Sequence, residues 1–439
     1  MTRRAYMMLV LGILVMSALL LAELVRMPRM PAPGEPDGRA TVYPADGQRS
    51  SSESKQLRVT VHMKEAEYRS LEEANRLFMM KYPAVQVHLS NEAEQSNSPE
   101  VYSLWKREAE LGISQDIMLM DNSWVREFAA LGYLSPVDSL TTGDVPGDLS
   151  ESLLDVLRWN GYLWAMPMDL DPYVPIWNKK LLALESGGQL PGSWEQYTQL
   201  LEETAARHKT INLLQLTPGR LEELMLWLRQ YEAETKTTRS YGPADGLGLL
   251  HSETQDKLLY LASISQRISR LDAPMQLLSA LQEGELLSAF VPWSNYSSWT
   301  TQLDELVQLD LSRIEPYRHS GRSYAISSRS VAVEEALLWV QEMTDTLKQQ
   351  QAYQVNRMLP ARLSAYQPVA GSGIEEAQLP PTWWVNVLKG RAAKPEVPGP
   401  GWADAWMKRE VQYRAYSVES WDFTAFTNAL LDEKAEDAD

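Results

Sequence analysis

A strand that ends in polar residues and feeds directly into a short helix leaves a chain few architectures, and residues 116–138 (DIMLMDNSWVREFAALGYLSPVD) have that form. Residues 117–120 are an unbroken apolar run of the kind buried on both faces of a sheet. The run gives way to Asp121, Asn122 and Ser123, after which the spacing predicts an amphipathic helix from Trp124 to Leu131 with Val125, Phe128 and Ala129 on its apolar face. Asn122 or Ser123 can cap that helix, and Gly132 suits the left-handed position at its end. Polar groups and a tryptophan therefore stand at the carboxyl end of a strand, where open α/β sheets hold their ligands.

Strand and helix signals alternate along the rest of the chain, as a doubly wound sheet requires. LRVTVHM at 57–63 alternates as a strand. A helix carrying Leu71, Ala74 and Phe78 on one face follows it, and Tyr82-Pro83 ends that helix ahead of a second strand in KYPAVQV. In LPGSWEQYTQLLEE, Ser193 stands three residues before Gln196, the spacing of a reciprocal capping box. Leu221, Leu224 and Leu228 mark a helix within 220–234, and Leu258, Leu261 and Ile264 mark another within 254–267, with a polar loop at 235–248 between them.

Taken in order with LWAMPMDLDPYVPIWNKKLL (163–182), AFVPWSNYSSW (289–299), ISSRSVAVEEALLWVQEM (326–343) and MLPARLSAY (358–366), these segments resemble the extracellular solute-binding proteins of family 1, the maltodextrin-binding-like receptors that serve ABC importers. The likeness runs across residues 57–430. It implies a type II periplasmic-binding-protein fold, in which two doubly wound α/β lobes are joined by a hinge. Lobe 1 would take residues 57–170 plus 323–365, and lobe 2 residues 171–322 plus 366–430. A monomer would clamp a small solute, a sugar, between the lobes and deliver it to the permease membrane subunits of an importer.

The resemblance also carries over particular residues. Asp121 and Trp124 fall in the loop from which the first lobe contacts ligand, and Asp171 stands four residues after Pro167 at an acidic ligand position. Beside Pro172, Asp171 suits a helix or turn cap equally well. Trp293 matches a stacking tryptophan of the second lobe; Trp383 matches another, with Trp384 as well placed by spacing. Two departures stand out. Asn356-Arg357-Met358 occupies a place where the family often has a glycine before Leu-Pro, and residues 390–401 are Pro-rich.

Composition narrows the function further. A length of 439 residues can bury two cores, and a net charge of −17 argues against a nucleic-acid partner. Zero cysteines rules out disulfides, thiolate metal sites and the acylated cysteine by which many such receptors are tethered. The amino terminus offers another tether: Arg3 and Arg4 precede an uncharged run from Ala5 to Ala22. With residues up to 25 it approaches the about 17–25 residues a membrane helix needs, and the arginines orient it with the rest of the chain outside. The expectation is an uncleaved anchor over 1–25 at the extracellular face, with secretion after signal cleavage as the alternative. Residues 26–56, with five prolines, read as a flexible linker, and residues 431–439 as an acidic tail.

Fifteen Trp and nineteen Tyr against five Phe favour surfaces with a broad apolar face and a polar handle, which suits the C–H faces and hydroxyls of sugars. Asp169 and Asp171, two apart, are the one pair to test against glycoside hydrolysis. The five histidines are scattered, and neither an H-E-x-x-H, a P-loop nor a G-x-S-x-G motif is present. The expectation is binding without catalysis, metal or cofactor. The alternative is a membrane-anchored interaction or sensory subunit that keeps the fold without serving import, motivated by the missing cysteine and the departures near the C-terminus.

Overall fold

Fourteen strands are present among the residues described in the computed structural model, which are 54–92, 98–141, 147–231, 249, 251–314, 321–390 and 399–436. They are β1 (Lys55–Val61), β2 (Val85–Asn91), β3 (Ile117–Asp121), β4 (Leu134–Ser135), β5 (Arg158–Trp159), β6 (Tyr162–Leu163), β7 (Ala165–Leu170), β8 (Tyr173–Asn178), β9 (Asn212–Gln215), β10 (Ile268–Ser269), β11 (Leu286–Pro292), β12 (Val307–Leu309), β13 (Arg322–Ser327) and β14 (Leu359–Pro360). A seven-stranded sheet has the order β14-β7-β13-β3-β1-β2, with β4 on β13, and a five-stranded sheet has the order β10-β9-β11-β8-β12. The expected membrane anchor, most of the linker and the loop 235–248 lie outside the described residues. Among the described residues no helix is long and apolar enough to cross a membrane. The fold is the mixed α/β arrangement of periplasmic binding proteins.

The apolar patterns are spent where the sequence placed them. Leu57, Val59 and Val61 of β1 are fully buried, and every residue of β7 and of β8 is buried, as in strands covered on both faces. β1 begins two residues ahead of the expected strand. It pairs in parallel with β2 and β3, joined to β2 through the helix Glu65–Lys81.

The sheets are mixed, and their antiparallel strands mark where the chain passes between them. β13 opens at Arg322 opposite Asp121, the last residue of β3, and β8 opens at Tyr173 opposite Pro292, the last residue of β11. A strand arriving from the other sheet enters at the edge where the sheets meet, which is the carboxyl edge of the parallel strands. It has to run antiparallel to them.

Local signals held with shifts. The helix after β3 is Asn122–Ala130, starting two residues before Trp124, so its cap is Asp121 in place of Asn122 or Ser123: Ser123 donates from its backbone N–H at 3.2 Å and its hydroxyl at 3.0 Å to Asp121 Oδ1. Gly132 takes the expected left-handed conformation. Ser193 accepts from Gln196 N–H, but the Gln196 side chain accepts from Gly192 N–H at 2.8 Å, one residue upstream of the reciprocal position. Arg357, at the place where a glycine was expected, has φ +60° and closes the helix Thr346–Asn356 with its guanidinium over the Tyr353 ring. The last helix, Phe423–Glu436, runs into the segment expected as an acidic tail.

Gly321 is a position only glycine fits. Its φ is +119°, and a Cβ there would stand 2.5 Å from the Asp169 carbonyl oxygen and 2.7 Å from Asn122 Nδ2, while its own carbonyl accepts from Asn122 N–H. Gly321→Ala should therefore cost about 2–4 kcal/mol of stability, combining backbone strain with overpacking at the entrance to β13. Urea unfolding checks this; an unchanged midpoint would refute the tight approach.

Candidate functional site

The carboxyl ends of β3 and β7 in one sheet and of β9 and β11 in the other converge on one junction, so the residues just past each strand set its chemistry. β7 and β8 are joined by Asp171 and Pro172 alone. Past β11, the helix Trp293–Leu303 begins against that joint: Ser294 N–H donates to Asp171 Oδ1 at 2.8 Å, the Ser294 hydroxyl to Oδ2 at 2.7 Å, and Trp293 N–H to the Pro172 carbonyl at 2.9 Å. Both oxygens of Asp171 are thus engaged in capping. Burial pushes its carboxyl up to about 6, with the two Ser294 bonds pulling the other way.

A polar cavity of about 100 Å³ lies at this junction and is lined from both sheets. Asp121 and Ser123 come from the end of β3, Tyr173 from β8, and Arg220 and Glu222 from the start of the helix Leu221–Arg229 that follows β9. Trp406 and Glu410 come from the helix Trp402–Arg414, which reaches across. At its first turn Asp404 N–H donates to Glu127 Oε2 at 3.0 Å, and Lys106 bridges Glu127 (2.8 Å) and Asp404 (3.2 Å). At its other end Arg414 lies against Gly219, whose N–H donates to Ser417 Oγ at 2.7 Å. One helix therefore ties the flanks of both sheets together beside the cavity.

Carboxylates dominate the electrostatics. Burial pushes Asp121 up to about 6 from 3.8; the Ser123 bonds and Arg322 oppose the rise, and Asp169 adds to it. Glu222 is raised well above the usual carboxylate range, first by burial, then by Asp121, Glu410 and Asp171, against the pull of Arg220. Glu410 is raised by burial and by Asp121, while Arg414, the Trp406 indole and Arg220 oppose this. Arg220 is hydrogen-bonded to Tyr173. Glu223, next in the chain, points away: it accepts from Thr217 N–H at 2.7 Å.

A larger cavity of about 350 Å³ lies wholly against the first sheet, between the helices Glu65–Lys81 and Thr346–Asn356, with apolar walls such as Leu71, Leu119 and Tyr324. Its polar end is Arg322, which is satisfied by Asp169 (2.5 and 3.0 Å) and Glu67 (2.8 Å). The smaller cavity is the one that both sheets build.

Of the residues singled out from sequence, Asp121 lines that cavity and Asp171 braces the joint behind it. Trp124 is 4% exposed and packs edge-on to Tyr102 and Trp105 at 5.5 and 5.9 Å. Trp293 is 2% exposed and meets Trp383 at 5.8 Å and Trp384 at 5.1 Å, so the two alternatives join it in a single cluster, Trp383 half-buried and Trp384 fully buried. None of these four indoles is among the residues lining the cavity. Asp169 and Asp171 are committed to Arg322 and Ser294. Tyr173, Arg220, Glu222, Trp406 and Glu410 were not anticipated. The available signals were the position of Tyr173 two residues beyond Asp171 and the Trp402/Trp406 pair at helical spacing, whose rings stack at 5.0 Å.

The profile of a family described as "Bacterial extracellular solute-binding protein" matches residues 84–381. Among curated proteins, the maltotriose-binding protein of Pyrococcus abyssi is 21% identical over 105 residues; the match spans 24% of this chain and 22% of that relative's length. Among solved structures, the sugar-binding protein MalE of Xanthomonas citri superposes with a TM-score of 0.63 at 15% identity, over 86% of this chain and 95% of the other. Maltose-bound MalE3 of T. maritima gives 0.61 at 14% identity, over 86% and 98%. The GacH receptor of Streptomyces glaucescens, solved unliganded and with acarbose, gives 0.59 at 18% identity, over 86% and 98%.

The confinement of Asp121 has a measurable consequence. The folded state holds this proton to about 6 while the unfolded chain releases it near 3.8, so the stability it contributes is complete below about pH 4 and lost as pH rises through 6. Asp121→Asn keeps an acceptor for Ser123 and removes the titration. The variant should gain on the wild type by roughly 1–3 kcal/mol between about pH 4 and pH 7 in chemical denaturation. A difference that stays constant with pH would show that the carboxyl is not confined.

Proposed function

Because this chain belongs to the bacterial extracellular solute-binding protein family, we propose that it is a receptor that closes two α/β lobes on a carbohydrate in the cavity between its sheets and presents it to the permease subunits of an ABC importer. The observation that carries this reading is the cavity itself, polar and built jointly by the end of β3, the segment after β9 and the helix Trp402–Arg414. Asp121, Glu222 and Glu410 accept sugar hydroxyls, Arg220 and Ser123 donate, and Tyr173 and Trp406 offer flat faces to ring C–H groups. The relatives' maltose, maltotriose and acarbose ligands support the carbohydrate class.

The lobes would be residues 57–170 plus 323–365 and residues 171–322 plus 366–430, pivoting at Asp171-Pro172 and at the entrance to β13. Solute bridging both would shift the population toward the closed form. Asp171 then orients the helix Trp293–Leu303, and Trp124, Trp293 and Trp383 hold the walls behind the ligand. The protein would act outside the cell, held there by residues 1–25 or released by cleavage within them. No bond is broken: the carboxylates at 169 and 171 are occupied in structural bonds. The interaction-subunit alternative drew on the missing cysteine and on the departures at 356–358 and 390–401; the helix that follows them, Trp402–Arg414, lines the cavity with Trp406 and Glu410.

Calorimetry of the full-length chain against a panel of oligosaccharides tests the proposal. At least one should bind with sub-millimolar affinity and release no reducing sugar, and Trp406→Ala should weaken it at least about tenfold. Silence across the panel would overturn the carbohydrate reading.

A further inference from the structure

We infer that the solute of this cavity carries a positive charge, and is an amine-bearing saccharide. The inference rests on the receptor reading above and specifies its ligand. Three carboxylates carried by three separate segments converge on the cavity: Asp121 at the end of β3, Glu222 in the first turn of the helix Leu221–Arg229, and Glu410 in the helix Trp402–Arg414. Among the cavity-lining residues Arg220 is the one cation. With all three ionised, three carboxylates against one guanidinium would leave the lining an excess of two negative charges.

The nearby cations offset only part of this: Arg414 acts on Glu410 and Arg322 on Asp121 from outside the lining. Arg322 is held by Asp169 and Glu67, and Arg414 lies over Gly219 outside the lining. Asp171, behind the cavity, adds another carboxylate, though its oxygens are engaged by Ser294. Glu223 faces Thr217, and Tyr173 already accepts from Arg220.

The acceptors on these walls are only partly supplied with donors: Glu410 takes the Trp406 indole. Among the described residues no hydrogen bond to Glu222 is present, and Asp121 accepts from Ser123 through Oδ1 while Oδ2 takes none. Hydroxyls of a neutral sugar could supply hydrogen bonds but no charge. Closing on a neutral solute would desolvate like charges together, which is costly unless protons are taken up. An ammonium group provides three donors and the missing charge at once, and the rings of Tyr173 and Trp406 add a cation–π surface beside it.

The two cases have opposite pH signatures. Asp121 is held up to about 6 and burial raises Glu222 well above the usual carboxylate range, so a neutral solute binds with proton uptake and tightens as pH falls. A cationic solute needs ionised carboxylates and loosens as pH falls.

Matched probes distinguish them: the β-1,4 dimer and trimer of glucosamine, their N-acetylated forms, and cellobiose and cellotriose, each titrated calorimetrically into the full-length chain near pH 7 and near pH 5. The glucosamine oligomers should bind at least about tenfold tighter than both neutral counterparts near pH 7, and the advantage should shrink near pH 5. Glu222→Gln, with its circular dichroism unchanged, should reduce that advantage by about tenfold. A neutral oligomer that binds as tightly as its amine near pH 7 overturns the charge inference and leaves the receptor reading standing. An advantage that grows near pH 5, or survives Glu222→Gln, also overturns the inference. No binding by any probe at millimolar concentration defeats the inference and the carbohydrate reading together.

Discussion

The joint at Asp171 and Pro172 is the constraint from which the rest of the site follows. Two residues are too few to let β7 and β8 drift apart, so the edges of the two sheets are held together at that point. The joint is also bonded to what it meets: Asp171 takes both donors of Ser294, and Pro172 takes the N–H of Trp293, so the first turn of a second-sheet helix is fixed to the last residues of a first-sheet strand. The return passage is fixed as firmly by Gly321, which has no room for a Cβ, and by Arg322, whose guanidinium is shared by two buried carboxylates. A charge buried in that way is stabilising only while its partners remain, which makes the return passage intolerant of change. With both passages pinned, the ends of β3 and β9 have to face each other, and Asp121 faces Glu222.

Much of this architecture could be read one segment at a time. The apolar run 117–120, the left-handed Gly132 and the wholly apolar VPIW of β8 are each decided by neighbours in sequence. Strand direction is not. Whether β13 runs with or against β3 depends on which sheet the chain has just left, and no property of RSYAIS encodes that. Arg357 shows a different limit: the left-handed turn persists without glycine because the fold closes the helix there and the arginine side chain packs on Tyr353. A residue-type rule found the place and missed its occupant.

The site was less legible for a physical reason. A tryptophan is an equally good wall for a ligand and for a core, and local pattern cannot tell which neighbours will claim its face. Trp124 is claimed by Tyr102 and Trp105, and Trp293 by the Trp383–Trp384 stack. The residues that do line the cavity carry weak individual signals: Glu222 is one of 58 acidic residues, and Glu410 sits on a helix whose polar and apolar residues are poorly segregated. Their meaning comes from convergence across distant segments. Asp121 was found because the end of a strand before a helix is itself a local feature with a known use.

On the receptor reading proposed above, the same convergence would bear on how the two lobes respond to solute. Bringing Asp121, Glu222 and Glu410 together in a small, partly desolvated space would work against closure, and Arg220 and Arg414 offset only part of it. The apolar and hydrogen-bonded contacts of the joint hold the edges near one another but do not remove that repulsion, because none of them reaches the unbonded oxygens of Glu222. On that reading closure without solute would be limited by charge, while closure around a molecule that satisfies those oxygens would be favoured by donors acting in a low-dielectric site. The differential between the two is what a population shift requires. On this view the acidic lining does two jobs with one set of groups: it chooses the solute, and it makes the closed state depend on the solute being there.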